Sequence, residues 1–166
     1  MKVKAYVLSV VVVLSTMSSA TKEAISTEGT NPGDLAPRIE SLGNEQGFSF
    51  QNYSGRYTLL NFWAAYDAES RVRNVLLWNE VGKMSAGRVD MYSVSFDEKE
   101  SIFAETVKMD GLADTKQIHE KLGKKSELYQ KFNLRKGLKS YLIDDKGVIV
   151  AENVTPEKLI EILKSV

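Results

Sequence analysis

The stretch that decides the fold is TLLNFWAAYDAESRVRN, residues 58–74. Its first half is a nearly continuous apolar run of strand length, which is typical of a central strand buried on both faces. Its second half begins a helix that we expect to run from about Asp67 to Met84, because apolar residues recur there at spacings near three and four. The apolar residues expected to face a sheet are Val72, Val75, Leu76, Val81 and Met84.

Strand and helix patterns continue to alternate after this stretch. VDMYSVSF (89–96) predicts a second buried strand, and EKESIFAETVKM (98–109) predicts a second helix. Upstream, GFSF (47–50) predicts a short edge strand. The alternation indicates an α/β domain in which at least two strands are parallel and are joined by a right-handed crossover.

The C-terminal part of the chain adds a hairpin and two helices. SELYQKFNL (126–134) predicts a short helix, and SYLIDDKGVIVAE (140–152) predicts a hairpin whose turn contains a glycine. Thr155 is a helix cap followed by Pro156, which favours a last helix beginning there. Residues 111–125 are polar, and we expect them to form a loop with at most one helical turn.

The N-terminus has the pattern of a secretory signal peptide over residues 1–20. Two lysines precede an apolar run that ends at Leu14, and Ser18 and Ala20 have the spacing of a cleavage site. This run is shorter than the ~20 residues that span a bilayer, so we expect no stable membrane insertion after cleavage. The alternative is an uncleaved anchor. Residues 21–32 are expected to be a flexible lead-in, and residues 33–166 the folded domain.

The composition restricts the possible functions. Basic and acidic residues balance at 22 each, without a polybasic run, so we expect no nucleic-acid partner. The apolar fraction of 43% is enough for one core. The chain contains no cysteine, which excludes disulfide bonds even in an oxidising compartment.

Five segments, in this order, resemble the thioredoxin-like family, and specifically the secreted TlpA/ResA-type thiol-disulfide oxidoreductases and the related AhpC/TSA redoxins. They are GDLAP (33–37), GRYTLLNFWAAY (55–66), VSFD (94–97), LYQKFNLR (128–135) and YLIDDKG (141–147). The resemblance implies a thioredoxin fold, in which helices flank a central mixed β-sheet. It also implies export, with the periplasm as the expected location.

The chain departs from this family at its active site. In the family, the residues after FWA run to Trp-Cys-x-x-Cys-Arg, and the aligned residues here are Tyr66, Asp67, Ala68, Glu69, Ser70 and Arg71. The family also has a cis-proline that faces the cysteine pair, and the aligned residue here is Leu138. A cis bond before a residue other than proline costs about 3 kcal/mol or more. We therefore expect a trans bond before Leu138 and a reshaped loop around it.

Thiol chemistry is excluded by the missing sulfur. Disulfide exchange needs an attacking thiolate and a second, resolving thiol, and neither Asp67 nor Ser70 supplies one. The amides at the start of the first helix still need an acceptor, and aspartate is among the best N-cap residues. We therefore interpret Asp67 as a cap that accepts from the amide of Glu69 or Ser70. No cofactor is expected.

An acidic site is the alternative at this turn. Asp97 ends the second strand and should lie beside Asp67 and Glu69, and carboxylate oxygens of this kind can bind Ca²⁺ or Mg²⁺. Such a site would make the protein a non-redox, metal-assisted enzyme. Asp97 could instead cap the helix that follows it. Catalysis by Ser70 would need a nearby base, and we expect the only histidine, His119, to be a solvated loop residue.

The aromatic residues near the turn suggest a binding surface. Trp63 lies within the buried run and is expected to be core, whereas Trp78 fits either core or surface. Tyr66 is expected to be exposed and, together with Leu138, to contact a partner. The leading hypothesis is a redox-inactive module of the cell envelope that binds a protein or peptide. A third possibility is a structural subunit of an envelope assembly.

Overall fold

The computed structural model describes residues 27–84 and 87–165. The predicted signal peptide and residues 21–26 of the predicted lead-in lie outside the described residues. Within the described ranges, no helix has the length and apolar character needed to cross a membrane.

Strands and helices alternate along the described chain, and the elements come in the following order. They are β1 (Ser41–Leu42), β2 (Glu45–Gln46), β3 (Tyr57–Trp63), α1 (Ala68–Val81), β4 (Val89–Ser95), α2 (Glu100–Met109), β5 (Gln117–His119), α3 (Glu127–Lys131), β6 (Ser140–Ile143), β7 (Ile149–Glu152) and α4 (Pro156–Lys164). Single 3₁₀ turns at Gly123–Lys125 and Leu134–Lys136 flank α3.

The main sheet is mixed and has the strand order β5-β4-β3-β6-β7. Strand β4 pairs in parallel with both β3 and β5, whereas β6 is antiparallel to β3 and to β7. Thr155 accepts from the amide of Lys158 at 3.3 Å and caps α4. The α/β fold, the mixed sheet, the hairpin and the last helix are therefore confirmed.

Three short segments near the sheet edges differ from expectation. Residues 47–50 form no strand; β1 and β2 make a small hairpin just before them, and Phe48 and Phe50 pack into the core. Residues 111–125 contain β5, which extends the parallel part of the sheet. Residues 27–32 hydrogen-bond to residues 34–38, since Leu35 N donates to Thr27 O at 3.0 Å. Ordered contacts therefore begin upstream of residue 33.

Side chains of β3 point alternately to the two faces of the sheet, and each face has its own core. Leu60 and Phe62 pack on the face covered by α3 and by the segment before β3. Leu59 packs on the other face, with α1 and α4, and Trp63 packs there with residues of α1 and α2. The family-like turn after β3 thus starts from a strand that is fixed on both faces.

Val75, Val81 and Met84 are partly buried and pack against the cores as predicted, but at other positions the buried face of α1 differs from the predicted one. Its buried residues are Ser70, Asn74 and Leu77, whereas Val72 and Leu76 are exposed. The cause lies in the sheet, because Asn61 of β3 faces α1 and donates to Asn74 Oδ1 at 3.0 Å. Trp78, which is partly buried, likewise donates its indole N–H to Ser93 Oγ of β4 at 2.8 Å.

This arrangement predicts a large loss of stability at one of two adjacent leucines of α1 and almost none at the other. Leu77 is 0% exposed and Leu76 is 48% exposed. Leu77→Ala should lower the free energy of unfolding by about 2–5 kcal/mol, because it leaves a cavity in the core. Leu76→Ala is the matched control and should change it by about 0.5 kcal/mol or less.

Urea denaturation followed by circular dichroism measures both values. A larger loss for Leu76→Ala than for Leu77→Ala would show that the helix packs with the face predicted from the sequence.

Candidate functional site

The candidate site is the turn between β3 and α1, at the carboxyl ends of the parallel strands. Phe96 N donates to Trp63 O at 3.0 Å and continues the β3–β4 pairing to this edge. Asp67 N donates to Ala64 O at 3.1 Å, which closes the turn directly before α1. Trp63 is fully buried, as predicted.

The two residues that replace the family's thiols hold the start of α1 together. Asp67 Oδ1 accepts from Ser70 N at 2.8 Å, which confirms the predicted N-cap. Ser70 is buried, and its hydroxyl donates to Asp67 O at 3.1 Å and accepts from Ala64 N at 3.3 Å. The hydroxyl therefore already acts as donor and acceptor within the turn, and Asp67 serves as a structural cap.

The carboxylate of Asp97 supports the turn from the neighbouring strand. It is buried, and its Oδ1 and Oδ2 lie 2.9 and 3.2 Å from Ala65 N, which donates to both. Ser95 Oγ also donates to Oδ2 at 2.7 Å. Asp97 does not cap α2, whose N-cap is Lys99 without a side-chain hydrogen bond. Its predicted place beside the turn is confirmed, and its alternative role as a cap is wrong.

The acidic residues near the turn do not form a shared site. Asp67 accepts from an amide of its own helix and Asp97 accepts from the turn, while Glu69 is exposed on α1. Across residues 27–84 and 87–165, no three His, Cys, Asp or Glu side chains converge as metal ligands would. The geometry therefore gives no support to the metal-assisted alternative.

His119 is not a solvated loop residue, which corrects the expectation from sequence. It ends β5, and its ring stacks on Phe103 with the ring centroids 5.3 Å apart. Its Nε2 lies 2.8 Å from the backbone oxygen of Asp97. A carbonyl oxygen only accepts, so Nε2 carries the proton and donates. The histidine thus stabilises the loop after β4, from which the Asp97 carboxylate reaches the β3–α1 turn. The sequence analysis missed this position because it did not predict β5.

The loop that replaces the family's cis-proline is held by Arg73. Every described peptide bond, including that before Leu138, is trans, as expected. Arg73 Nη2 donates to Leu138 O and, at 3.3 Å, to Phe62 O. Burial lowers the pKa of Arg73, while the negative charges of Glu69 and Asp67 oppose that shift. The sequence pattern did not indicate this role of Arg73.

Arg71, which keeps the arginine of the family pattern, connects α1 to the end of α2. Its Nε and Nη2 donate to the two carboxylate oxygens of Asp110 at 2.8 and 2.6 Å. This hydrogen bond raises the pKa of Arg71. The ion pair is bidentate and partly buried, so it orients α1 and α2 relative to each other at the edge of the site.

Tyr66 and Leu138 lie in different surroundings. Tyr66 is 59% exposed and lines an open cavity with Ile102 and Leu122, among others. Leu138 is partly buried against the core and does not line that cavity. Partial burial raises the pKa of Tyr66, and nearby groups that include Asp97 reinforce the effect, so its hydroxyl stays neutral near pH 7. Whether Tyr66 and Leu138 contact a partner stays a prediction.

Comparison with solved structures finds thioredoxin-like proteins. A thioredoxin-like protein from Parabacteroides distasonis ATCC 8503 is 66% identical with a TM-score of 0.77, and the match covers 83% of this chain and 98% of that one. A thiol-disulfide oxidoreductase from Bacteroides fragilis NCTC 9343 is 26% identical with a TM-score of 0.56, covering 69% and 84%.

A third solved structure is similar in fold alone. The thioredoxin domain of a thiol-disulfide oxidoreductase from Bacteroides vulgatus is 20% identical with a TM-score of 0.66, and the match covers 81% of this chain and 96% of that one. No protein-family model matches the chain. No curated protein matches it either.

The cap at Asp67 gives a direct stability prediction. Asp67→Ala removes the acceptor for Ser70 N, so the free energy of unfolding should fall by about 1 kcal/mol. Asp67→Asn keeps an acceptor oxygen and should lose much less. Glu69→Ala is a control at an exposed residue of the same helical turn. Equal losses for Asp67→Ala and Glu69→Ala in urea denaturation would refute the cap.

Proposed function

Because this chain belongs to the thioredoxin-like proteins, we propose that it is a member without thiol chemistry that binds a protein or peptide segment at the β3–α1 turn. One observation carries the proposal. The oxygens of Asp67 and Ser70, at the two thiol positions, are used by hydrogen bonds inside the turn. The turn is therefore maintained as a structure, although it has no group that could exchange a disulfide.

The redox half of this proposal follows from the atoms of the chain. Disulfide exchange forms a mixed disulfide and then resolves it, and each step needs a cysteine sulfur. The chain contains none. Five methionines supply the only sulfur, and a thioether cannot form a disulfide. We therefore propose that the protein is a binding module. We propose no second function for the carboxylates of Asp67, Glu69 and Asp97.

The binding half follows from the surface that remains beside the turn. Tyr66 projects from the turn into solvent next to other exposed apolar side chains, Ile102 and Leu122. A tyrosine that is apolar along its ring and polar at its tip suits an interface that is partly hydrated. Leu138 packs inward, so the proposed contact surface extends from Tyr66 toward Leu122.

We further propose that the protein works in the cell envelope. The signal-like pattern of residues 1–20 supports export, and cleavage after Ala20 would release the domain into the periplasm. A protein without cysteine cannot be cross-linked by the disulfide chemistry of that oxidising compartment. This property suits a module that binds partners there non-covalently.

A disulfide-exchange assay tests the absence of thiol chemistry. We expect the purified protein to reduce insulin with dithiothreitol no faster than the buffer does, because it holds no sulfur that could form the mixed disulfide. A thioredoxin with an intact cysteine pair is the positive control. Turnover by the cysteine-free protein above the buffer rate would overturn the proposal.

Partner capture tests the binding half. Native protein coupled to a resin should retain a partner from the envelope fraction of its own cells, and Tyr66→Ala should reduce the retained amount several-fold. Tyr53→Ala is the matched control, because Tyr53 is 73% exposed and hydrogen-bonds to the β6–β7 turn through its backbone. Equal retention by all three proteins would exclude the Tyr66 surface as the binding site.

A further inference from the structure

An open cavity of about 560 Å³ lies beside the turn, between the loop after β4 and the loop that connects β5 to α3. Tyr66, Ile102 and Leu122 supply much of its apolar lining. In the described part of the chain, seven large apolar side chains are exposed, and three of them line this one cavity. A grouping of this kind indicates a binding surface more strongly than scattered exposed residues do.

The same cavity has one positively charged wall. Lys121, Lys124 and Lys125 line it and are exposed. None of these three forms an ion pair with any described acidic residue. Lys124 Nζ lies 5.7 Å from the ring centroid of Tyr66, near the outer limit of a cation–π contact.

The described acidic residues near the cavity do not form ion pairs with these three lysines. Asp97 is buried, and its oxygens accept from Ala65 N and Ser95 Oγ. Glu98 is exposed on the wall opposite residues 120–125, which we call the lysine loop. Glu120, in the lysine loop, accepts from Leu122 N at 3.1 Å through its side chain. The three lysines therefore set the charge that an incoming ligand meets on their side of the cavity.

Backbone hydrogen bonds hold the lysine loop in a defined conformation. Glu120 N donates to Ser95 O at 2.9 Å, which ties the loop to the end of β4. A 3₁₀ turn over Gly123–Lys125 follows, and Ser126 N donates to Gly123 O at 3.1 Å. Gly123 has a φ of +52°, which side-chain-bearing residues rarely adopt. The backbone positions of the lysines are thus set before a ligand arrives, so binding does not have to order the loop.

We propose that this cavity binds an acidic peptide segment, in which an apolar or aromatic side chain occupies the space beside Tyr66 and Leu122. Carboxylates that flank this side chain pair with Lys121, Lys124 and Lys125. The inference rests on the proposed function and specifies the chemistry of its partner. A basic segment would bring like charges together at the lysine wall, and a purely polar one would leave the apolar lining uncovered.

A titration of the ¹⁵N-labelled protein with short blocked peptides tests the inference by NMR. The probe is a pentapeptide with a central phenylalanine between glutamates, and its two matched controls carry glutamines or lysines instead. The glutamate peptide should shift the amides of Tyr66, Glu98 and residues 121–125. An exposed ion pair contributes a factor of about 1.5 to 5 in affinity, so the glutamine peptide should bind roughly fivefold more weakly.

Salt provides an independent readout. Raising the ionic strength from about 0.05 to about 0.5 M shortens the range of charge interactions to a few ångströms. The glutamate peptide should therefore lose most of its advantage over the glutamine peptide at high salt.

Variants locate the effect on the protein. Replacing Lys124 and Lys125 together by glutamine should weaken the glutamate peptide roughly fivefold and leave the glutamine peptide unchanged. Leu122→Ser should weaken both peptides.

Matched control variants lie outside the cavity and should change neither peptide. Lys146→Gln lies in the β6–β7 turn, at the opposite end of the sheet, because Ile143 pairs with Thr58 near the start of β3. Met109→Ser replaces a side chain that is 71% exposed, close to the 67% of Leu122. The NMR spectra of all variants report whether the fold is intact.

Several outcomes would overturn the inference. Equal binding of the three peptides at the cavity would remove the preference for acidic segments and leave the proposed function standing. Shifts confined to the amides of Val72 and Leu76 would place binding on another face. A parallel titration with an oligothymidylate tests for a nucleic-acid site, which shifts of the cavity amides as large as those caused by the glutamate peptide would indicate. If no peptide shifts any amide, the inference fails, and partner capture with Tyr66→Ala decides the proposed function separately.

Discussion

The carboxylate of Asp97 is the contact on which the site depends. A buried carboxylate is stable only when its oxygens accept hydrogen bonds, and here they accept from Ala65 N and Ser95 Oγ. These bonds join the end of β4 to the turn after β3. The backbone oxygen of the same residue accepts from His119 at the end of β5. One residue thus fixes the relative positions of three parallel strands at the edge where the cavity opens.

The β3–α1 turn keeps an acceptor for the first amides of α1, although it lacks the thiols of its family. The first amides of a helix lack partners within the helix and carry a partial positive charge. In thioredoxin-like enzymes, a cysteine thiolate is placed at this position, whereas Asp67 accepts from Ser70 N here. The electrostatic demand is the same in both cases, and a carboxylate meets it without redox activity. Fold and function therefore separate at two side chains.

A layer of polar side chains beneath α1 explains how the scaffold keeps its shape. Asn61 donates to Asn74, and Asn74 in turn donates to Gln117 of β5 at 3.2 Å. Arg73 reaches from the same helix to the carbonyl of Leu138, in the loop before β6. Buried polar groups are costly without partners, so these bonds favour one register between the helix and the sheet. The loop that lacks the proline is held by the same layer.

The sequence by itself determined the order and type of most elements, the cap at Asp67 and the absence of thiol chemistry. These features depend on local patterns and on the atoms present, which the sequence contains in full. Only the tertiary structure decided that Asn74 and Leu77 lie at the buried centre of α1, because that face packs against polar side chains, Asn61 and Ser93, of the two neighbouring strands. It also decided the existence of β5 and its lysine loop, since a three-residue edge strand is stabilised by pairing with β4 and carries no pattern of its own.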